Sequence, residues 1–157
     1  MPEDLIARSA ADSGRPASPP GSQHRGLGPN ERWHAGNSGI PGGWVTSDVV
    51  WHGNSLGDVA GAENLADLLG SFIGALPDLY AAEQDITAEN DLVMVRLIVT
   101  ATVKGSLLGV PADGKPVRWN AIDIYRITDG KISEEWAADD IATIMTQVGV
   151  FTPPWAA

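Results

Sequence analysis

The sequence predicts one α+β domain, in which an amphipathic helix is followed by an antiparallel sheet. Three observations favour this fold class. One segment repeats its apolar residues at helical spacing, three later segments are rich in β-branched residues, and a tight-turn dipeptide joins the last two of them. The chain has 157 residues, which suits a single domain.

The first predicted elements are a strand and a helix. Residues 44–51 are rich in β-branched and aromatic side chains, which predicts a short strand that ends at the turn residues 52–54. The apolar residues of segment 62–76 recur at positions i, i+3, i+4 and i+7. This spacing predicts an amphipathic helix, which Pro77 ends.

Three more strands are predicted after this helix. Residues 92–103 and 117–127 are long β-branched runs, and residues 131–138 form a shorter one. The dipeptide Asp129-Gly130 favours a tight hairpin turn between the last two. A short final helix is then expected, with Asp139 or Asp140 as its N-cap, followed by a stop at residue 149.

The first 43 residues differ in composition from the rest. They contain fourteen of the 29 Gly and Pro residues, and residues 13–22 have no apolar periodicity. Such a segment buries little apolar surface, so we expect residues 1–43 to be a flexible extension and residues 44–157 to form the folded domain. Because Arg8 interrupts the only apolar residues near the start, no secretory signal is indicated and we expect a cytoplasmic protein.

Charge and composition exclude several functional classes. The net charge of −10 falls entirely on residues 41–157, which contain sixteen acids and six bases. This charge repels phosphate backbones and anionic lipids, so we expect neither a nucleic-acid nor a membrane partner. The chain has no cysteine and only three widely spaced histidines, which argues against disulfides, thiolate chemistry and a metal site.

Several segments resemble the SnoaL-like polyketide cyclases of the NTF2-like superfamily. They are Ala75-Leu-Pro-Asp-Leu79, Glu89-Asn-Asp-Leu-Val-Met-Val-Arg96, residues 105–114, Tyr125-Arg-Ile-Thr-Asp-Gly-Lys-Ile-Ser-Glu-Glu-Trp136 and Gln147-Val-Gly149. The resemblance implies a cone of curved antiparallel sheet, wrapped by helices around one deep apolar pocket. It also implies ring closure of an apolar, polyketide-like carbonyl compound by intramolecular aldol condensation without a cofactor. A homodimer is expected, because the family covers the apolar outer face of its sheet with a second copy.

The sequence departs from this family at positions that would move protons. In the resembling cyclases a key aspartate lies five residues after the position of Ile132, which is Ala137 here. A second cyclase position, normally histidine, falls on Asp123. Limonene-type epoxide hydrolases share the cone but need an arginine where this chain has Ala121. Two alternatives therefore stay open, a non-catalytic module that binds small ligands and, less favoured, an epoxide hydrolase.

Asp123 is the first candidate for the acid/base. In the predicted strand it shares a face with Trp119, Ala121 and Tyr125, and both faces are largely apolar. A carboxylate in such a strand requires either a partner or a raised pKa, and a raised pKa suits proton transfer near neutral pH. The alternative is a structural ion pair with an arginine, either Arg96 or Arg126.

Other candidate residues are less specific. His52 is a possible acid/base partner of Asp123, or else a turn histidine in water. Asp140 is a third catalytic candidate, although helix capping explains it better. Asp139 shares a strand face with Ala137 and is therefore a candidate to substitute for the missing aspartate. The expected substrate-binding residues, several of them aromatic and suited to a flat polycyclic ligand, are Trp51, Met94, Arg96, Trp119, Tyr125 and Trp136.

Overall fold

The computed structural model describes residues 44–156, so the predicted extension over residues 1–43 lies outside the described residues. The elements in chain order are β1 Val45–His52, β2 Asp58–Ala60, α1 Ala62–Ala75, β3 Tyr80–Glu89, β4 Leu92–Thr102, β5 Ser106–Leu107, β6 Val110–Pro111, β7 Pro116–Thr128, β8 Lys131–Asp139 and α2 Ile141–Val148. Short 3-10 turns lie at Asn54–Leu56 and Pro154–Ala156. The α+β fold class is confirmed. No helix within the described residues has the length and apolar character to cross a membrane.

Six of the strands form one curved sheet in the order β2-β1-β8-β7-β4-β3, and β5 pairs only with β6. Strands β1 and β8 run parallel, and all other neighbours are antiparallel. The β7–β8 hairpin turns at Asp129 and Gly130, whose φ angles are 51° and 76°. Two successive positive φ angles are the requirement of a tight type I′ turn, as the dipeptide predicted.

Alternation along the strands separates two faces of the sheet. On β4 the odd-numbered residues from Val93 to Ala101 are buried, whereas Met94 and Arg96 are exposed. The buried face packs with Leu76, at the end of α1, and with Ile144 of α2, both of which are fully enclosed. Burying each such side chain contributes roughly 1.5–3 kcal/mol, so this inner face holds the helices in place.

Strand β3 was not predicted from the sequence. Its segment carries five polar or charged side chains among ten residues, and its pairing with β4 shifts between Glu83 and Asp85. A bulge of this kind moves later side chains to the opposite face, so the strand shows no simple period of two. β3 is also an edge strand, with its neighbour β4 on one side only.

Capping defines α2 at both ends. The Asp140 carboxylate accepts hydrogen bonds from the backbone N–H of Thr143 at 3.0 Å and from its hydroxyl at 2.7 Å. At the other end Gly149 has a φ of 91°, the left-handed conformation in which glycine carries no steric penalty. The N-cap prediction is confirmed for Asp140 rather than Asp139.

We predict that Asp140→Ala lowers the free energy of unfolding by about 0.5–2 kcal/mol, because the first-turn N–H of α2 loses its acceptor. Urea unfolding followed by far-UV circular dichroism measures the change. Asp140→Asn, which keeps a side-chain oxygen for the cap, is the matched control and should stay close to wild type. Equal losses in the two variants would contradict a capping role.

Candidate functional site

A cavity of about 400 Å³ lies between the inner face of the sheet and α1. Its walls are mostly apolar and include Leu68, Leu69 and Phe72 of the helix and Leu97 and Val99 of β4. A volume in this range suits a small organic ligand. The described residues therefore form an apolar chamber on the concave side of the sheet.

Among the described residues, four with ionisable side chains line this chamber, and they come from the β7–β8 hairpin: Asp123, Tyr125, Glu135 and Asp139. The hairpin register places Tyr125 opposite Glu135 and Ala121 opposite Asp139. Asp123 lies opposite Ala137. Because residues two apart share a strand face, the three carboxyl groups surround the position of Ala137 on one surface.

Asp123 has a proton affinity suited to acid/base chemistry. Its pKa is raised to about 7 by burial and, to a smaller extent, by the negative charge of Asp139, while a hydrogen bond from Tyr125 opposes both effects. The Tyr125 hydroxyl donates to Oδ2 of Asp123 at 3.2 Å. A carboxyl group with a pKa near 7 is present in both protonation states at neutral pH, as proton transfer in both directions requires.

Two tryptophan indoles hold the other two carboxyl groups. Nε1 of Trp119 donates to Oδ1 of Asp139 at 2.5 Å, and the Trp51 side chain donates to Glu135. Burial is the main cause that raises the pKa of both acids. For Glu135, which rises well above its ordinary value, the charges of Asp123 and Asp139 add to this effect.

Gly53 determines where the Trp51 ring lies. A Cβ atom on Gly53 would be only 2.0 Å from Cη2 of Trp51, so the ring packs directly against the glycine backbone. Any larger residue here would force the indole to move, and the hydrogen bond to Glu135 would move with it.

No arginine, lysine or histidine is among the described residues that line the chamber. The alternative interpretation of Asp123, an ion pair with an arginine, is therefore wrong. Arg96 instead pairs with Asp85, and Arg126 pairs with Asp91 and Glu134. Even-numbered residues of β4 and β7 point away from the chamber, which is the physical reason for this correction.

His52 does not meet Asp123 either. Its ring nitrogens contact Glu134 at 2.9 Å and Asp58 at 3.3 Å, and the ring stacks on Trp136 at 5.5 Å. Trp51 points into the chamber, so its neighbour His52 points to the outer face of the sheet. The predicted His52–Asp123 pair is corrected accordingly.

The predicted substrate-binding residues divide in the same way. Trp51, Trp119 and Tyr125 line the chamber. Met94, Arg96 and Trp136 lie on the outer face, because the register pairs the exposed Met94 with Ile124 and Ile124 with Trp136. The structure places these three residues away from any ligand in the chamber.

Glu135 was the residue that sequence reasoning missed. It lies two residues before Ala137 and therefore on the same strand face, as Asp139 does two residues after it. The alternation that pointed to Asp139 applied equally to Glu135. Within the described residues, no group of three His, Asp or Glu side chains is arranged to hold a metal ion.

Comparisons with known proteins place this site in context. A model of the SnoaL-like polyketide cyclase family matches residues 30–148. AclR, a candidate hydroxylase from Streptomyces galilaeus, is 28% identical with a TM-score of 0.63, over 71% of this chain and 82% of that one. IdmH, a candidate polyketide cyclase from Streptomyces antibioticus, is 28% identical with a TM-score of 0.60, over 69% and 84%.

A candidate SnoaL-like polyketide cyclase from Jannaschia sp. CCS1 has a TM-score of 0.65 at 24% identity, over 71% of this chain and 76% of that one, and shows likeness of fold. No curated protein sequence matches the chain.

The raised pKa of Asp123 predicts a pH-dependent stability. The folded pKa of about 7 exceeds the ordinary aspartate value of 3.8, so the folded state binds this proton more tightly than the unfolded state. The contribution of protonated Asp123 to the free energy of unfolding is complete below pH 4 and is lost as pH rises through 7. Relative to Asp123→Asn, the wild type should lose roughly 2–4 kcal/mol of unfolding free energy over this range.

Urea unfolding at several pH values measures this difference. Tyr125→Phe supplies a directional control, because it removes the hydrogen bond that lowers the pKa of Asp123 and should move the loss of stability to higher pH. Parallel pH profiles for wild type and Asp123→Asn would contradict the buried-carboxyl interpretation.

Proposed function

We propose that this chain, which belongs to the SnoaL-like polyketide cyclase family, is a cofactor-independent cyclase or isomerase that acts on an apolar carbonyl compound. One observation carries the proposal: Asp123, with a pKa of about 7, lines an apolar chamber large enough for a small organic ligand. The Tyr125 hydroxyl orients its carboxylate, so one oxygen stays available to a ligand.

The proposed chemistry needs only one acid/base. The Asp123 carboxylate removes a proton from the carbon next to a substrate carbonyl, which leaves an enolate. The enolate carbon attacks a second carbonyl of the same molecule and closes the ring. The protonated Asp123 then returns its proton to the new alkoxide, so atoms and charges balance without a cofactor. Apolar walls favour this sequence, because they fold the substrate and exclude water.

The register of the hairpin places a carboxyl group opposite the position where the usual aspartate is missing. Ala137 occupies the position where the resemblance implies that residue, and Asp123 is directly opposite on β7. Side chains at opposed positions of an antiparallel pair are close neighbours on the same face. We infer that Asp123 supplies, from the adjacent strand, the carboxylate that Ala137 no longer provides.

A non-catalytic binding module is the second candidate, and Ala137 favours it. Such a protein would keep the chamber and lose the proton transfer. An epoxide hydrolase has less support, because the described lining of the chamber includes no arginine. The two leading candidates differ in one measurable property, the removal of a proton from carbon.

We also propose that a second copy of the chain covers the outer face of the sheet. Two large apolar side chains are exposed on this face, Ile122 of β7 at 49% and Met94 of the neighbouring strand β4 at 37%. Strand pairing places Ile124 and Trp136 on the same face. Large apolar side chains left exposed on one face of a sheet are typical of an interface between identical subunits.

Ile122→Glu tests the proposed dimer. Light scattering should give about twice the chain mass of 16.5 kDa for the wild type and a single chain for the variant, because a buried unpaired carboxylate opposes association. Asn120→Glu, on the same strand face but nearer its beginning, is a control for added charge. A wild-type monomer at micromolar concentration would contradict the proposal.

The catalytic proposal is tested by hydrogen exchange on a bound ketone. Acetylnaphthalene carries methyl protons next to its carbonyl, and their replacement by deuterium in D₂O is followed by NMR. We expect wild type to accelerate this exchange and Asp123→Asn to lower the accelerated rate by roughly 10²–10⁴-fold, with ligand affinity little changed. Asp140→Asn, the same substitution outside the chamber, is the matched control.

The binding-module alternative predicts a different result. The wild type would then bind the ketone without accelerating exchange, and Asp123→Asn would leave the exchange rate at the buffer value. Full acceleration in a stable Asp123→Asn protein would instead remove Asp123 from the proposed mechanism.

A further inference from the structure

Glu135 occupies the middle of the polar surface of the chamber. The sheet register places Tyr125 of β7 on one side of it and Trp51 of β1 on the other, and both of these side chains also line the chamber. The Trp51 side chain donates a hydrogen bond to the Glu135 carboxyl. The Trp51 ring packs directly against Gly53, which fixes the position of this donor.

The charges around Glu135 are all of one sign. Asp123 on β7 and Asp139 on β8 face the same chamber, and the described lining contains no cation that would offset them. Three ionised carboxylates in a low-dielectric chamber repel one another, and each also loses its hydration. The least costly arrangement keeps at least one of them protonated.

Glu135 is the member of this set best suited to hold the proton. Burial and both neighbouring acids raise its pKa well above the ordinary value and outweigh the hydrogen bond from Trp51, which lowers it. Asp139 has the close donor Trp119, which favours its ionised form. A protonated carboxyl group differs from a carboxylate because its O–H donates a hydrogen bond.

We propose that neutral Glu135 donates its hydrogen bond to the carbonyl oxygen of the ligand, so that the chamber selects uncharged carbonyl compounds and rejects carboxylates. Glu135 lines the chamber, so its O–H lies where a ligand carbonyl would be bound. An anionic ligand would meet two further carboxyl groups and no cation, and its desolvation would go uncompensated.

This inference deepens the proposed function and relies on it for the chamber being the ligand site. When Asp123 removes a proton from the substrate, negative charge develops on the carbonyl oxygen. A donor already directed at that oxygen stabilises the enolate more than the ketone, since its hydrogen bond strengthens as charge accumulates. Glu135 and Asp123 then have complementary roles, one as hydrogen-bond donor and the other as base.

Three ligands of the same shape test the selectivity: acetylnaphthalene, naphthoate and naphthylmethylammonium. Calorimetry at pH 7 should show the ketone bound at least about tenfold more tightly than naphthoate, because the carboxylate is desolvated without a partner. Glu135→Gln, which still offers an N–H donor, should bind the ketone within about threefold of wild type, and Glu135→Leu should lose roughly tenfold.

A spectroscopic measurement tests the protonation state without turnover. Asp123, with a pKa of about 7, is itself partly protonated at pH 7, so the comparison is made in the Asp123→Asn background. Infrared spectra of Asp123→Asn at pH 7 should contain a protonated-carboxyl C=O band that is lost in the double variant Asp123→Asn/Glu135→Gln. Naphthoate bound as tightly as the ketone, the ammonium ion bound more tightly than both, or an infrared band unchanged between these two variants would each overturn the proposal. Ketone selectivity with no hydrogen exchange would leave this inference intact and reject the catalytic proposal.

Discussion

Strands β7 and β8 pair so that Tyr125 lies opposite Glu135 and Asp123 opposite Ala137, and every ionisable side chain of the chamber comes from these two strands. The other elements supply apolar walls and two indole donors. The chemistry of the site therefore depends on one hairpin register, which the two-residue turn and the register shift between Arg126 and Ile127 determine together. The helices enclose this surface without adding charge to it.

The described lining of the chamber combines apolar walls with three acids and includes no cation, which is an unusual distribution of charge. In most proteins a buried carboxylate finds an arginine or lysine, which keeps it ionised. Here the arginines of β4 and β7 lie on the outer face. Arg126 pairs there with Asp91 and Glu134 and lies over the Trp136 ring. The pKa values of Asp123, Glu135 and Asp139 are raised by burial, and no cation in the described lining offsets this effect.

The sequence predicted the long local elements well because their signals are local. The helix, the hairpin turn and the face shared by Asp123 and Tyr125 all follow from the spacing of neighbouring residues. The site was predicted only in part, since the sequence does not say which face of each strand turns inward. Met94 and His52 have residue types that suit a ligand site, yet strand pairing directs both outward. Strand β3 escaped prediction because its bulge disrupts the alternation on which strand recognition depends.

Glu134 and Glu135 are adjacent residues of the same type, and their pKa values are shifted in opposite directions. Glu134 contacts His52 and Arg126, which lower its pKa, while burial raises the pKa of Glu135. The only difference between them is the side of the sheet on which each lies. Inserting or deleting one residue in the turn before β8 would exchange the two rows of side chains, and Glu134 would enter the chamber with Trp136 beside it. The site thus requires the present length of the hairpin as well as its acidic residues. A related sequence with a longer or shorter hairpin would lose the site even if it retained every acid.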